Sequence, residues 1–198
     1  METWVLPALM GLGLAASTGL RTFLPLFMLA LAARFAGVAI NPHAQWLASN
    51  TALVALGVAT VVELAADKIP IVDHGLSAIG TVTRPLAGAL AAGAVFSHAD
   101  PAMAAVAGLI IGVPTALTFH TAQTGTRAVS TMTTAGLANP MVSLFEDGAT
   151  VALAGAAFIV PALAGALVLA MLLIFALIGR AILRRMAARD RSAKETHA

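Results

Sequence analysis

Long apolar runs separated by short polar stretches dominate this chain, and that alternation leaves few folds open to it. Seven runs stand out, roughly at 4–18, 22–39, 51–66, 84–97, 102–122, 140–160 and 162–184. A helix that crosses a bilayer needs about 20 apolar residues. The first and fourth runs fall short of that and read as tilted, half-spanning or re-entrant. The expected fold is all-α, a polytopic transmembrane bundle of about six or seven helices, some short or re-entrant. Residues 1–184 form a single transmembrane domain, and 185–198 a basic cytoplasmic tail.

Composition agrees. The chain is 60% hydrophobic and 10% charged, where soluble domains carry about 25% charged residues; its mean hydropathy is +0.94. With no cysteine, disulfides, thiolate catalysis and thiolate metal sites are excluded. Glu2 stands where a signal peptide would carry lysine or arginine, so the first run is expected to be retained. Pro7, Pro25, Pro114 and Pro161 should kink or end helices. Asn139-Pro140 predicts an N-cap followed by proline at the first helical position.

The basic residues orient the chain. From Arg180 onward six of them face only Asp190 and Glu195, whereas residues 1–179 hold five basic and seven acidic groups. The high isoelectric point therefore belongs to the tail and argues for membrane orientation, not for nucleic acid. With the tail inside and seven spans threaded back, Arg21, Lys68, Arg84 and Arg127 all fall on the cytoplasmic side. Arg34 alone lies near an outer helix end, where it can snorkel. The expected location is a bacterial inner membrane, with a cytoplasmic C-terminus.

The same threading gathers the polar chemistry on one face. "ELAADKIPIVDH" (63–74) packs Glu63, Asp67, Lys68, Asp73 and His74 into twelve residues. Glu63 and Asp67, four apart, share a helix face. Glu146 and Asp147 lie almost two turns inside the sixth helix. Charged groups at mid-helix cost about 2.5–3.5 kcal/mol on insertion scales, so these acids should face each other or water. Glu63, Asp67, Glu146, Asp147 and His120 are the candidate ligand- or ion-binding residues. Arg21, Lys68, Asp73, His74, Arg84 and Arg127 are the candidate charge-pairing or anion-contacting ones. "HTAQTGTRAVSTMTT" (120–134) is a poor helix former whose composition suits a broken or re-entrant segment lining a cavity. "TGLR" (18–21) and "TGTR" (124–127) form a weak internal repeat, and "GLIIG" (108–112) has the spacing of close helix packing or dimerisation.

"ELAADKIPIVDH", "GTVTRPLAGAL" (80–90) and "HTAQTGTRAVSTMTTAGLANPMVSLFED" (120–147) make the chain resemble a bacterial inner-membrane family catalogued as domain of unknown function 4126. The resemblance spans nearly the whole chain. It implies a small polytopic membrane protein and supplies neither substrate nor catalytic residues. No HExxH pair, G-x-S-x-G elbow or P-loop is present. The leading functional expectation is a transporter or channel with an acidic cation or proton site near the cytoplasmic face. The alternatives are a non-transporting scaffold or lipid-head-group binder and, behind these, a lipid-modifying enzyme using His120 or Glu146 as base. No cofactor is expected; the metal and the ligand are left open. The bilayer and a second copy of the chain are the expected partners.

Overall fold

The computed structural model describes the backbone of residues 2–67 and 70–196, and the side chains of 4–67, 79–177, 180 and 184. Every apolar run forms an α-helix: α1 (Glu2–Leu20), α2 (Phe23–Phe35), α3 (Asn50–Ala66), α4 (Pro70–Ala94), α5 (Pro101–Thr134), α6 (Asn139–Ile159) and α7 (Pro161–Thr196). A short 3-10 helix, Pro42–Ala48, precedes α3. Among the described residues there is no strand. The chain is a polytopic transmembrane helical bundle.

Prolines and short polar caps set the boundaries. Ser49 accepts from the Ala52 N–H at 3.1 Å and starts α3. Asp100 accepts from Ala102 N–H at 2.9 Å and starts α5, with Pro101 next in line. Proline tolerates a first helical turn because the N–H it lacks would have no intrahelical partner there. The α6 boundary corrects the sequence reading in one respect. The helix does begin at Asn139, but Ala138 holds the cap position without a side-chain bond. The Asn139 amide instead donates to Thr131 Oγ1 at 3.0 Å.

Three other expectations change. The fourth helix is not short: it starts at Pro70 and takes in residues that read as a polar loop, reaching 25 residues. Residues 120–134 are neither broken nor re-entrant but the second half of a 34-residue α5. Their hydroxyls fold back onto their own helix, with Thr121, Thr124, Thr126 and Thr134 each donating to the carbonyl four residues earlier. Such back-bonding satisfies the side chain without competing for the ladder. The helix stops at Ala135 and Gly136, both at positive φ (50° and 84°), the left-handed turn that ends many helices. The break falls elsewhere, between the 3-10 helix and α3, which meet at 66°.

Among the described residues, α5 and α6 are long and apolar enough to cross a membrane, and the bent pair ending in α3 makes a third span if counted as one. Trp4–Leu20, Phe23–Phe35 and Pro161–Leu177 are shorter apolar helices.

The bundle is arranged for lipid. Its outer faces carry Val54, Val58, Val61, Leu109, Ile110, Leu173 and Ile174, all exposed, while its interior holds much alanine with serine, threonine and charge, beside larger side chains such as Leu14, Leu29 and Phe119. Large exposed apolar area has to be covered, and small residues at helix interfaces let backbones approach. α1 is the central helix, touching α4, α5, α6 and α7. The α4–α5 hairpin is closest of all. A Cβ added at Gly112 would strike the Gly88 carbonyl, and one at Gly108 the Ala89 carbonyl. The GxxxG spacing thus serves packing within one chain.

Candidate functional site

Among the described residues, all the buried charge collects at one end of this bundle, where α1 and α3 finish, α2 starts, and α4, α5 and α6 pass. Arg21, just beyond α1, is the largest fully buried side chain. Its Nη1 pairs with Asp67 Oδ2, its Nε with Asp147 Oδ1 at 2.7 Å, and its Nη2 with Glu146 Oε2 at 3.6 Å. The Nη1 and Nε contacts are ion pairs without hydrogen-bond alignment. Nη2 also donates to the Ser143 hydroxyl at 2.9 Å and to the Ser143 carbonyl at 3.2 Å.

Arg127, on α5, approaches the same acids from the other side. Its Nη2 lies 3.0 Å from Asp67 Oδ2 and 2.5 Å from Glu146 Oε2, and its Nε donates to both Glu146 oxygens at 3.1 and 3.2 Å. Two arginines, one just beyond α1 and one on α5, therefore share two carboxylates, Asp67 at the end of α3 and Glu146 on α6. Charge-assisted pairs of this kind are roughly twice as strong as neutral hydrogen bonds.

These are the arginines of the sequence repeat. α1 and α5 run parallel here, because Gly19 lies against Ala116 and Phe119, and the Leu20 carbonyl accepts from Gln123 at 3.3 Å. The two glycines differ: a Cβ at Gly19 would hit the Ala116 carbonyl at 2.5 Å, whereas Gly125 has open space. What recurs is the position of an arginine, not a packing motif.

Gln123 links this core to a second cation. Its Nε2 donates to Glu146 Oε2 at 2.8 Å, and its Oε1 accepts from Arg84 Nη1. The same Arg84 nitrogen reaches the Gly19 carbonyl at 3.1 Å and His120 Nδ1 at 2.8 Å. His120 Nε2 lies 3.2 Å from Thr81 Oγ1. A continuous polar path thus runs Thr81–His120–Arg84–Gln123–Glu146–Arg127–Asp67–Arg21–Asp147. Arg84 forms no carboxylate ion pair among the described residues, and it lines a cavity of about 300 Å³ between α2, α3 and α4 together with Thr22, Thr83, Glu63 and Asp67.

Glu63 is buried but works differently. Its Oε1 accepts from the Thr22 N–H at 2.7 Å and its Oε2 from the Phe23 N–H at 3.0 Å. Thr22 offers no side-chain cap of its own. A carboxylate from α3 therefore caps the N-terminus of α2, where unpaired N–H groups and the helix dipole both favour negative charge.

Of the sequence-predicted residues, Arg21, Asp67, Arg127, Glu146 and Asp147 meet directly, and Arg84 and His120 join through Gln123. Glu63 stands beside them as a cap. Lys68 and the side chains of Asp73 and His74 lie outside the described residues. Gln123 and Ser143 were missed. Helical spacing could have found both: Gln123 is three residues from His120 and four from Arg127, and Ser143 is three from Glu146 and four from Asp147. Among the described residues no group of three or more His, Asp or Glu side chains converges as a metal-binding set. Asp67, Glu146 and Asp147 look at arginines instead, and Glu63 at backbone N–H groups.

Fold and site together define an all-α polytopic membrane protein with a buried arginine–carboxylate network at one end. The chain belongs to the family described as domain of unknown function 4126 (DUF4126), whose sequence profile matches residues 8–181. No curated protein and no solved structure matches it.

Proposed function

We propose that the chain is a small membrane transporter or channel whose arginine–carboxylate network is a proton site, centred on Glu146 and Asp67. The observation that carries this reading is the sharing of those two carboxylates between Arg21 and Arg127. Each acid holds two cations, so protonating one releases a guanidinium to seek another partner. That is a local switch with two arrangements, the element a transport cycle requires. His120, tied to Glu146 through Arg84 and Gln123, is the group on this path that can sense a proton. Intramembrane ionisable groups are costly and mark ion or substrate pathways by default. A proton fits the site better than a metal, since no described set of ligands converges on one.

The test is proton flux in proteoliposomes under an imposed pH gradient, with the potential clamped by potassium and valinomycin. Wild-type vesicles should acidify faster than protein-free ones, and Glu146→Gln should abolish the difference while remaining folded. Wild-type flux no greater than that of empty vesicles overturns the proton reading.

Orientation belongs to the same proposal. The basic extension of α7 favours a cytoplasmic C-terminus in a bacterial inner membrane. Reporters fused after Gln45 and after Ala198 should lie on opposite sides; both on one side would sink the seven-span threading. A homodimer would need a face other than the Gly108–Gly112 stripe, which α4 occupies.

A second reading, a non-transporting scaffold or lipid-head-group binder, is favoured by one observation. Glu63 spends both oxygens on backbone capping, a purely structural use of an intramembrane acid.

A further inference from the structure

Arg84 is buried, at 5% exposure, yet only part of its guanidinium is used. Every hydrogen bond it forms among the described residues comes from Nη1, which serves the Gly19 carbonyl, His120 Nδ1 and Gln123 Oε1. Nε is buried without a partner. Nη2 has none either among the described residues, and it is not shut in. These two nitrogens form one edge of the guanidinium, an edge that can take a carboxylate by two parallel bonds. A buried charged donor left unbonded carries its full desolvation cost, so this edge calls for an acceptor.

Arg84 lines the cavity of about 300 Å³ between α2, α3 and α4, a volume at the lower end for small-molecule sites. Thr22, on the same wall, adds a second unused donor. Its hydroxyl bonds to nothing among the described residues, and Glu63 caps α2 in its place. The acids on the wall are already engaged: Glu63 by the Thr22 and Phe23 N–H groups, Asp67 by Arg21 and Arg127. What the cavity leaves unused is donors. Its ligand therefore brings oxygen acceptors, and a guanidinium favours acceptors that carry charge.

The remaining wall says what that oxyanion is attached to. Ala55, Val58, Ala59 and Val62 make one face of α3, and Val58, Val62 and Ile79 are also exposed on the outer surface. The cavity thus opens sideways, toward lipid, between α3 and α4. An inorganic anion would have to cross this apolar mouth, whereas an amphiphile arrives along it. The head must also be small and singly charged, because Glu63 and Asp67 stand beside it. A carboxylate ending an acyl chain meets both conditions. The phosphate of a phospholipid is followed by a further alcohol, which would have to fit among the two acids.

We infer that the α2–α3–α4 cavity binds a fatty acid, with its carboxylate on Arg84 and Thr22 and its chain leaving the bundle between Val58, Val62 and Ile79. The inference deepens the second reading, lipid-head-group binding, by naming the ligand; it rests on that reading and not on proton flux.

The experiment is a scintillation-proximity assay on the purified full chain in maltoside micelles, at alkaline pH where the carboxylate is ionised. The probe is tritiated palmitate. Its competitors are unlabelled palmitate, hexadecanol (the same chain without charge) and phosphatidylglycerol, an anionic phosphodiester. Palmitate should bind saturably, and the other two should compete at least about tenfold more weakly. Thr22→Val, which trades the hydroxyl for a methyl, should weaken palmitate binding about two- to tenfold. Ala55→Trp, at an exposed position on the cavity wall, should weaken it about tenfold or more with an unchanged melting temperature. Arg84→Gln should abolish it; if that variant does not fold, the Thr22 and Ala55 variants decide. No saturable palmitate binding, or binding indifferent to Thr22→Val or to Ala55→Trp, would overturn the inference. Hexadecanol competing equally would overturn it too and reduce the cavity to an apolar crevice. Phosphatidylglycerol competing equally would overturn the fatty-acid assignment and leave the lipid-head-group reading standing. Binding of neither palmitate nor tritiated phosphatidylglycerol would sink both.

Discussion

Both ends of this bundle bury polar groups, and they do so by opposite means. At the end away from the buried arginines, Asn41 is almost wholly buried and joins the chain after α2 to the turn between α4 and α5. Its Nδ2 donates to the Phe96 carbonyl at 3.0 Å and the Ala99 carbonyl at 3.1 Å, and its backbone N–H to the Ala94 carbonyl at 2.7 Å. Its Oδ1 accepts from the His43 N–H at 3.2 Å. One neutral amide, with every group satisfied, fastens these two segments. The other end joins six helices, α1 to α6, with three arginines and four carboxylates. If fastening were the whole task, neutral groups would suffice there too, since hydrophobic or neutral replacements of buried ion pairs are often no less stable. The excess of charge is what points beyond structure.

The largest expected effect tests whether the charged end is held by mutual compensation. Arg21→Ala leaves Asp67 and Glu146 to Arg127 and takes the Arg21 guanidinium away from Asp147. Removing one partner from a buried ion pair costs about 3–5 kcal/mol, so the variant should melt far below wild type or fail to insert as a monodisperse species. Arg21→Ala melting within a degree or two of wild type would mean that the network is hydrated and loosely held, which breaks the contrast with Asn41.

The neutral end should respond less. Asn41→Ala leaves the Phe96 and Ala99 carbonyls without their donor in a buried turn, a loss of about 1–3 kcal/mol. Stability measured by thermal melting in detergent should fall by that amount, and proton flux per folded molecule should not change. Flux lost in proportion to nothing but this amide would show that the two ends are coupled.

Much of this was readable from the residues, and the failures have physical causes. Apolar run length located all seven helices, because bilayer-scale hydrophobic runs leave the backbone no other way to satisfy itself. The convergence of Arg21, Asp67, Arg127, Glu146 and Asp147 followed from threading those runs, since helix ends on the same side of the bundle must lie together. Threonine misled the reading of 120–134. Its low helix propensity is an average over exposed contexts, and here the hydroxyls bond to the helix's own carbonyls. The α4 start at Pro70 was hidden because Asp73 and His74 look like loop residues when only hydropathy is counted. The role of Glu63 was invisible for a different reason: nothing in its own neighbourhood reveals that Thr22, forty-one positions earlier, lacks a cap.

Glu63 therefore gives the smallest and sharpest test, because it is a charged residue doing what Asn41 does. Its two oxygens each accept one backbone N–H of α2. In Glu63→Gln the amide keeps a single oxygen acceptor, so either Thr22 or Phe23 loses its partner, and the charge that complements the helix dipole disappears. Loss of a helix cap costs about 0.5–2 kcal/mol, and the dipole contributes about 0.3–1 kcal/mol within that range. The variant should melt slightly early, with proton flux preserved, while Glu146→Gln loses flux. That pair of results would place the boundary between fastening and function inside the acidic cluster itself, between two carboxylates that hydropathy cannot tell apart. Flux abolished in Glu63→Gln with unchanged melting would put Glu63 on the proton path, through the cavity it lines with Arg84 and Asp67. The cap would then be a resting arrangement that the transport cycle opens.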